Sequence, residues 1–144
     1  MSIRWLPDVN IWLALSLPEH VHHRAVQAWL GMDEHPLFFC RASQQSFLRL
    51  LTTAAVIAPY KLPPLSNRQA QLRMRALLES DRIHLASEPP HIEGDWERFA
   101  DSPFASPKLW MDAYLAAFAI AGGYRLVTTD RAFKQFKGVN LLVL

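Results

Sequence analysis

The chain has 144 residues, 51% of them hydrophobic and 19% charged, a size and composition that fit one domain with a buried core, so residues 1–144 are read as a single domain. Its one cysteine, Cys40, excludes an internal disulfide and a cysteine-rich zinc set, and neither a signal-peptide layout at Met1-Ser2-Ile3-Arg4-Trp5 nor a membrane-length apolar run is present, which points to the cytoplasm. Fifteen basic residues interspersed with 13 acidic ones give a formal net charge of +2, which permits a polyanion partner without demanding one.

In chain order, apolar runs alternate with helical patterns, the mark of an α/β domain whose central sheet is mostly parallel and flanked by helices. Ile3 to Leu6 reads as a short first strand, and Val9 to Leu15 as a helix apolar on nearly every face that Pro18 ends. From about His20 to Leu30, Val21, Ala25, Ala28 and Trp29 fall on one side of a second helix, closed by Gly31. Leu37 to Cys40 reads as a buried strand, with Ser43 as N-cap of a helix carrying Phe47, Leu48, Leu50 and Leu51. Pro59, Pro63 and Pro64 break the next stretch into loop; Asn67 starts a helix through Leu77 and Leu78, and Ile83 to Leu85 reads as a short strand. Ser87 to Pro107 is the least regular stretch, with four prolines around a short helical piece near Trp96 and Phe99, and is expected to be a mobile connection. Leu109 to Ala121 is an apolar helix stopped by Gly122 and Gly123, and Arg125 to Thr128 and Asn140 to Leu144 are the last two strands.

Open α/β sheets bind ligands outside the carboxyl ends of their strands. Asp8 and Asp130 each come just after a predicted strand and so fall on that edge. Asp112 lies in the first turn of its helix, where the macrodipole favours negative charge. Three carboxylates gathered there form an oxygen-only ligand set. Such a set suits Mg²⁺ or Mn²⁺, which can activate water and offset the charge of a phosphodiester under attack.

The sequence around these residues resembles the PIN-domain ribonucleases, and among them the VapC-type toxins of bacterial type II toxin–antitoxin modules. Asp8-Val9-Asn10-Ile11-Trp12-Leu13-Ala14-Leu15 is similar to their N-terminal aspartate motif. Trp110-Met111-Asp112-Ala113-Tyr114-Leu115-Ala116-Ala117 is similar to the motif of the third acid, and Leu126-Val127-Thr128-Thr129-Asp130-Arg131-Ala132-Phe133 to that of the fourth. The resemblance spans the chain and implies a PIN-like domain in which Asp8, Asp112 and Asp130 bind Mg²⁺ or Mn²⁺, Asn10 is a positioning partner and the Thr128 hydroxyl supports Asp130. It also implies endonucleolytic cleavage of structured or single-stranded RNA such as tRNA, leaving 5′-phosphate and 3′-hydroxyl ends. The implied partners are a cognate antitoxin laid into the groove and a second toxin subunit, as a homodimer or a toxin–antitoxin hetero-oligomer.

One position departs from that pattern. The family's second acid is a glutamate near the start of the helix after the second strand, and Cys40 to Arg49 contains no acid. Aligning on Phe47-Leu48-Arg49 puts Gln44 there, so three carboxylates stand where four are usual, and one- and two-metal sites both remain open. Asp101 is the alternative carboxylate.

His20 and His23 have a spacing that can bind zinc, but no cysteine or second histidine pair accompanies them, so they read as surface or core-edge histidines. The five tryptophans read as core or interface. Arg41, Arg49, Lys108, Arg131 and Lys134 lie near the proposed rim, where any of them could hold phosphates. Val9 to Leu15 and Phe47 to Ala58 carry more apolar side chains than one buried stripe needs, so part of that surface is expected to dock an antitoxin or a second copy. Two other function classes fit an aspartate-bearing strand edge. A phosphohydrolase or receiver-like domain needs a second acid or a nucleophile close after Asp8, where Asn10 and Trp12 stand instead. A PIN-fold module that has lost catalysis and binds RNA or a partner is the other, with Gln44 as its first sign. Divalent-metal dependence of RNA cleavage separates the nuclease from both.

Overall fold

The computed structural model describes residues 2–144. Its strands are β1 (Trp5–Pro7), β2 (Leu37–Cys40), β3 (Ile83–Ala86), β4 (Arg125–Thr128) and β5 (Leu141–Val143). Its helices are α1 (Val9–Ser16), α2 (His23–Met32), α3 (Arg41–Leu51), α4 (Ala54–Ile57), α5 (Asn67–Leu78), α6 (Glu93–Ala100) and α7 (Leu109–Gly122), with 3₁₀ turns at Ala58–Tyr60 and Arg131–Gln135. The strands form one sheet in the order β3-β2-β1-β4-β5, every neighbouring pair parallel.

Because successive strand residues point to opposite faces, the short strands feed two cores. Trp5, Phe39 and Val127 pack with side chains of α1, α2, α3 and α5. Leu6, Cys40 and Leu126 pack on the other face with α7, joined by Trp96 and Phe99 of α6. The result is a three-layer α/β/α domain. The all-round apolar sequence of α1 has a direct cause in this arrangement: Ile11, Trp12, Leu13 and Ala14 are all buried, with Trp12 stacked on Phe39 at 3.6 Å between ring centroids. The apolar surplus expected to form a docking surface is therefore largely core, since Phe47, Leu51 and Ile57 are buried as well.

Several boundaries differ from the sequence reading. β1 begins at Trp5, two residues later than expected, and runs through Pro7. The second helix begins at His23, because turn bonds from His20 N–H to Leu17 and from His23 N–H to His20 occupy the preceding segment. Its core-facing residues are consequently Val26 and Trp29, while Val21, Ala25 and Ala28 are exposed. Ser43 is not an N-cap: β2 passes straight into α3 at Arg41, and Ser43 lies buried inside the helix with its Oγ 3.2 Å from Cys40 Sγ. The stretch from Ser87 to Pro107 is organised around α6, whose Trp96 Nε1 donates to the Trp110 carbonyl at 3.0 Å. Among the described residues no helix is long and apolar enough to cross a membrane.

The strand order positions the site. From β1 the chain steps outward to β2 and β3, then returns to place β4 and β5 on the other side of β1. The order therefore reverses between β1 and β4, and a crevice opens there beyond their carboxyl ends. Asp8 follows β1, and Asp130 lies two residues beyond the end of β4.

Candidate active site

Asp8 is held at that crevice from both sides. Its backbone N–H donates to the Val127 carbonyl at 2.9 Å, extending the β1–β4 ladder by one residue. As N-cap of α1, its Oδ1 accepts from the Val9 N–H at 2.7 Å, and its Oδ2 accepts from the Thr128 hydroxyl at 2.9 Å. Thr128 in turn accepts the backbone N–H of Asp130 at 3.0 Å through the same Oγ1. One buried hydroxyl thus ties the Asp8 carboxylate to the backbone of Asp130.

Asp130 turns its Oδ1 to the Ala132 N–H at 2.9 Å and its Oδ2 to Lys108 Nζ at 3.3 Å. Asp112 is half-buried in the first turn of α7. Asp8 and Asp112 both feel the charge of Asp130. Burial pushes the Asp8 carboxyl up to about 6, the Thr128 hydrogen bond opposes this, and Asp112 and Asp130 add to it. Asp112 is also raised, by burial first, with Lys108 pulling down and Asp130 pushing up. Asp130 lies below the usual carboxylate range, mainly through the Ala132 N–H bond and also through Lys108. Lys108 is held above its ordinary value by its hydrogen bond and charge pairing with Asp130, with smaller contributions from Asp112 and Asp8.

The donor chemistry suits a hard divalent cation, since every candidate ligand is a carboxylate oxygen and the most buried one carries a repulsion that a cation would relieve. The carboxylates do not already form a closed cage. Among the described residues no group of three or more His, Cys, Asp or Glu stands ready to hold a metal. Among the described residues, Lys108 is the cation that pairs with one of the three aspartates.

The other expected site residues lie as follows. Asn10 is half-buried in the first turn of α1, and among the described residues no side-chain hydrogen bond joins it to the acids. Gln44 is buried on α3, where its Oε1 accepts from Arg41 Nη1 at 2.8 Å and its Nε2 faces Met74 Sδ at 3.8 Å. Asp101 is exposed and lines a separate cleft with Phe104 and Trp110. Arg49, Arg131 and Lys134 are exposed, and among the described residues none of them forms an ion pair with the aspartates, as Lys108 does. His23 Nδ1 lies 2.6 Å from the Ala14 carbonyl and His20 stacks on Tyr60, both core-edge roles.

Two polar residues at the same sheet edge escaped the sequence reading. Glu88 stands two residues beyond β3, and its Oε1 accepts from the Tyr114 hydroxyl at 2.6 Å. Tyr114 is raised by burial first and then by Glu88. The signal was available, because Glu88 follows the Ile83–Leu85 run as Asp130 follows Arg125–Thr128, with an acid just past a strand.

Comparisons with known proteins bear on the family and the fold. The sequence profile of the PIN domain matches residues 6–139. The chain is 54% identical over 142 residues to Ribonuclease VapC41 of Mycobacterium tuberculosis, covering 96% of this chain and 97% of the relative. It is 32% identical over 131 residues to Ribonuclease VapC44 of the same organism, covering 90% and 88%. Among solved structures, VapBC2 from Rickettsia felis bound to a DNA fragment from its promoter aligns with a TM-score of 0.67 at 13% identity over 98% of both chains. Mycobacterium tuberculosis VapC20, a sarcin–ricin loop cleaving toxin, aligns with a TM-score of 0.67 at 14% identity over 94% of this chain and 97% of that one. At those identities the structural likeness shows the fold.

Proposed function

Since the chain belongs to the PIN-domain family, with VapC-type toxins as its relatives, we propose that it is a metal-dependent endoribonuclease and the toxin of a toxin–antitoxin pair. The observation that carries the reading is the Asp8–Thr128–Asp130 linkage at the topological switch point, in a chain 54% identical to a named ribonuclease. Asp8 and Asp112 would bind Mg²⁺ or Mn²⁺, with Asp130 contributing directly or through water. The bound cation would supply Lewis acidity toward water and compensation for charge building on the phosphodiester.

The chain's own residues set the conditions for that chemistry. Burial and mutual repulsion hold Asp8 poised near neutrality, Thr128 fixes the direction of its Oδ2, and the Val9 N–H fixes Oδ1. Lys108, exposed and already drawn toward the acids, is placed to meet a phosphate entering the crevice. The substrate is RNA whose backbone is accessible, either single-stranded or in a loop of a structured molecule such as tRNA. The work belongs to the cytoplasm, under restraint by an antitoxin, a reading supported by the likeness in fold to VapBC2.

A second reading has a specific observation behind it. The carboxylates do not form a finished cage, and the resemblance puts Gln44 where the family has an acid, which fits a PIN-fold module that binds RNA or a partner without cutting. Incubating the purified protein with total RNA in Mg²⁺, Mn²⁺ or EDTA and mapping the new ends separates the two. Cleavage with 5′-phosphate ends that EDTA abolishes is expected. Intact RNA in every condition, with RNA or partner binding retained, overturns the nuclease.

A further inference from the structure

Beyond the carboxylates, the carboxyl edge of β2 and β3 carries a second, more polar opening of about 530 Å³, lined by Arg41, Gln44, Leu85, Glu88, Tyr114 and Phe118. From its geometry we infer that this cleft is a base-recognition subsite that takes the Watson–Crick edge of a guanine next to the phosphate being cut. The inference rests on the ribonuclease reading above.

The polar groups of the cleft are already sorted by hydrogen-bonding role. Tyr114 donates to Glu88 Oε1 at 2.6 Å, which pins the carboxylate of an otherwise exposed side chain while leaving Oε2 free to accept. Gln44 is buried with its oxygen taken by Arg41, so its amide nitrogen is what it has left to offer. Among the described residues that nitrogen has only the Met74 sulfur at 3.8 Å, a weak acceptor. A fixed acceptor and an under-used buried donor therefore line the same cleft. The matching ligand edge presents donors to Glu88 and an acceptor to Gln44. Guanine does so with N1–H and N2–H₂ toward the carboxylate and O6 toward the amide, whereas uracil, adenine and cytosine each lack the adjacent pair of donors.

The remaining lining fits the rest of a nucleotide. Leu85 is 52% exposed at the end of β3 and offers an apolar face to a ring. Arg41 is exposed on its outer side, where a guanidinium can hold the sugar–phosphate backbone. Placement agrees as well. β2 and β3 stand one and two strands beyond β1, so at ~4.8 Å per strand the cleft lies about 5–10 Å along the edge from Asp8. A base in the cleft would therefore neighbour a phosphate at the carboxylates. Tyr114 and Asp112 both sit on α7, so one helix lines both places.

The test uses fluorescein-labelled hexauridylate and versions in which the third base is guanine, inosine, adenine or cytosine. Binding to the full chain is read by anisotropy in EDTA, which keeps the RNA intact, with integrity confirmed on a gel. The guanine hexamer should bind about tenfold tighter than the uracil one, the scale of one good bidentate contact. Inosine, lacking the 2-amino donor, should lose most of that gain. Glu88→Gln, an exposed change that keeps an acceptor for Tyr114, should bring the guanine-to-uracil ratio close to one. Equal binding of all five RNAs, a preference for another base, or a guanine preference that survives Glu88→Gln overturns the subsite. The two readings fail separately. Metal-dependent cleavage without base preference removes only the subsite, and guanine-selective binding without cleavage removes only the nuclease.

Discussion

Thr128 is the smallest part of the site and the one on which its geometry turns. A buried hydroxyl that gives its proton to Asp8 and accepts the Asp130 N–H cannot be replaced by valine, which matches its shape, without leaving both partners short of a hydrogen bond. Asp8 has a titration consequence of its own. Its folded-state carboxyl, near 6, lies above the ordinary 3.8, so the folded protein holds that proton more tightly than the unfolded chain. In EDTA, the stabilisation tied to protonated Asp8 is complete below about pH 4 and is lost as the pH rises through about 6. Leaving the buried carboxylate charged then costs on the order of 3 kcal/mol at pH 7. Asp8→Asn should therefore abolish cleavage yet resist urea better than the wild type at pH 7 in EDTA, with the difference gone at pH 4. Equal midpoints at pH 7 would mean that Asp8 is solvated well enough to ionise without penalty.

At the scale of the element, α7 shows how a helix serves core and site together. Ala113, Leu115, Ala116, Ala117, Phe118 and Ala119 are buried, so the small residues let the helix lie close against the sheet while its first turn presents Asp112. Its end is set by Gly123, which adopts a left-handed φ of 70° as the C-cap, with the Tyr124 N–H returning to the Ala119 carbonyl at 2.8 Å. A β-carbon on Gly123 would meet only Arg4 Nη2, at an ordinary 3.5 Å, so the penalty for one is backbone strain alone. Gly123→Ala should lower unfolding stability by about 1–2 kcal/mol in urea, with no change in Mn²⁺ binding. A neutral result would show that the turn relaxes to another conformation. Elements of this kind were legible in sequence because glycine and apolar periodicity mark them. The errors fell where the local signal is ambiguous. Ser43 is a good N-cap residue, yet the sheet delivers the chain into α3 three residues earlier, with Cys40 at the cap position, and the histidine turn before α2 shifts its buried face by one position.

For the whole molecule, the sheet order decides which parts of the sequence meet. The three aspartates could be placed on one edge from their positions after strands and at a helix start, and the order β3-β2-β1-β4-β5 puts Asp8 and Asp130 at the crevice where it reverses. What the sequence did not carry is how polar side chains divide that edge. Gln44, aligned to an acid position, bonds Arg41 and opens onto the cleft with Glu88 and Tyr114. Lys108, read only as one of several basic residues near the rim, pairs with Asp130. The Lys108–Asp130 and Tyr114–Glu88 pairings depend on side-chain reach across elements far apart in the chain, which residue spacing does not encode, whereas the Arg41–Gln44 pair is an i,i+3 contact within α3. The central claim is that Asp8, Asp112 and Asp130 act as one divalent-cation site, and calorimetric titration of Mn²⁺ into the wild type and the three single Asp→Asn variants tests it without reference to cleavage. Saturable binding in the wild type, weakened at least about tenfold by each substitution, is the expected result, since each removes one partly screened charge of the ~1.4 kcal/mol scale. Binding that is absent from the wild type, or unchanged in the variants, would contradict the account.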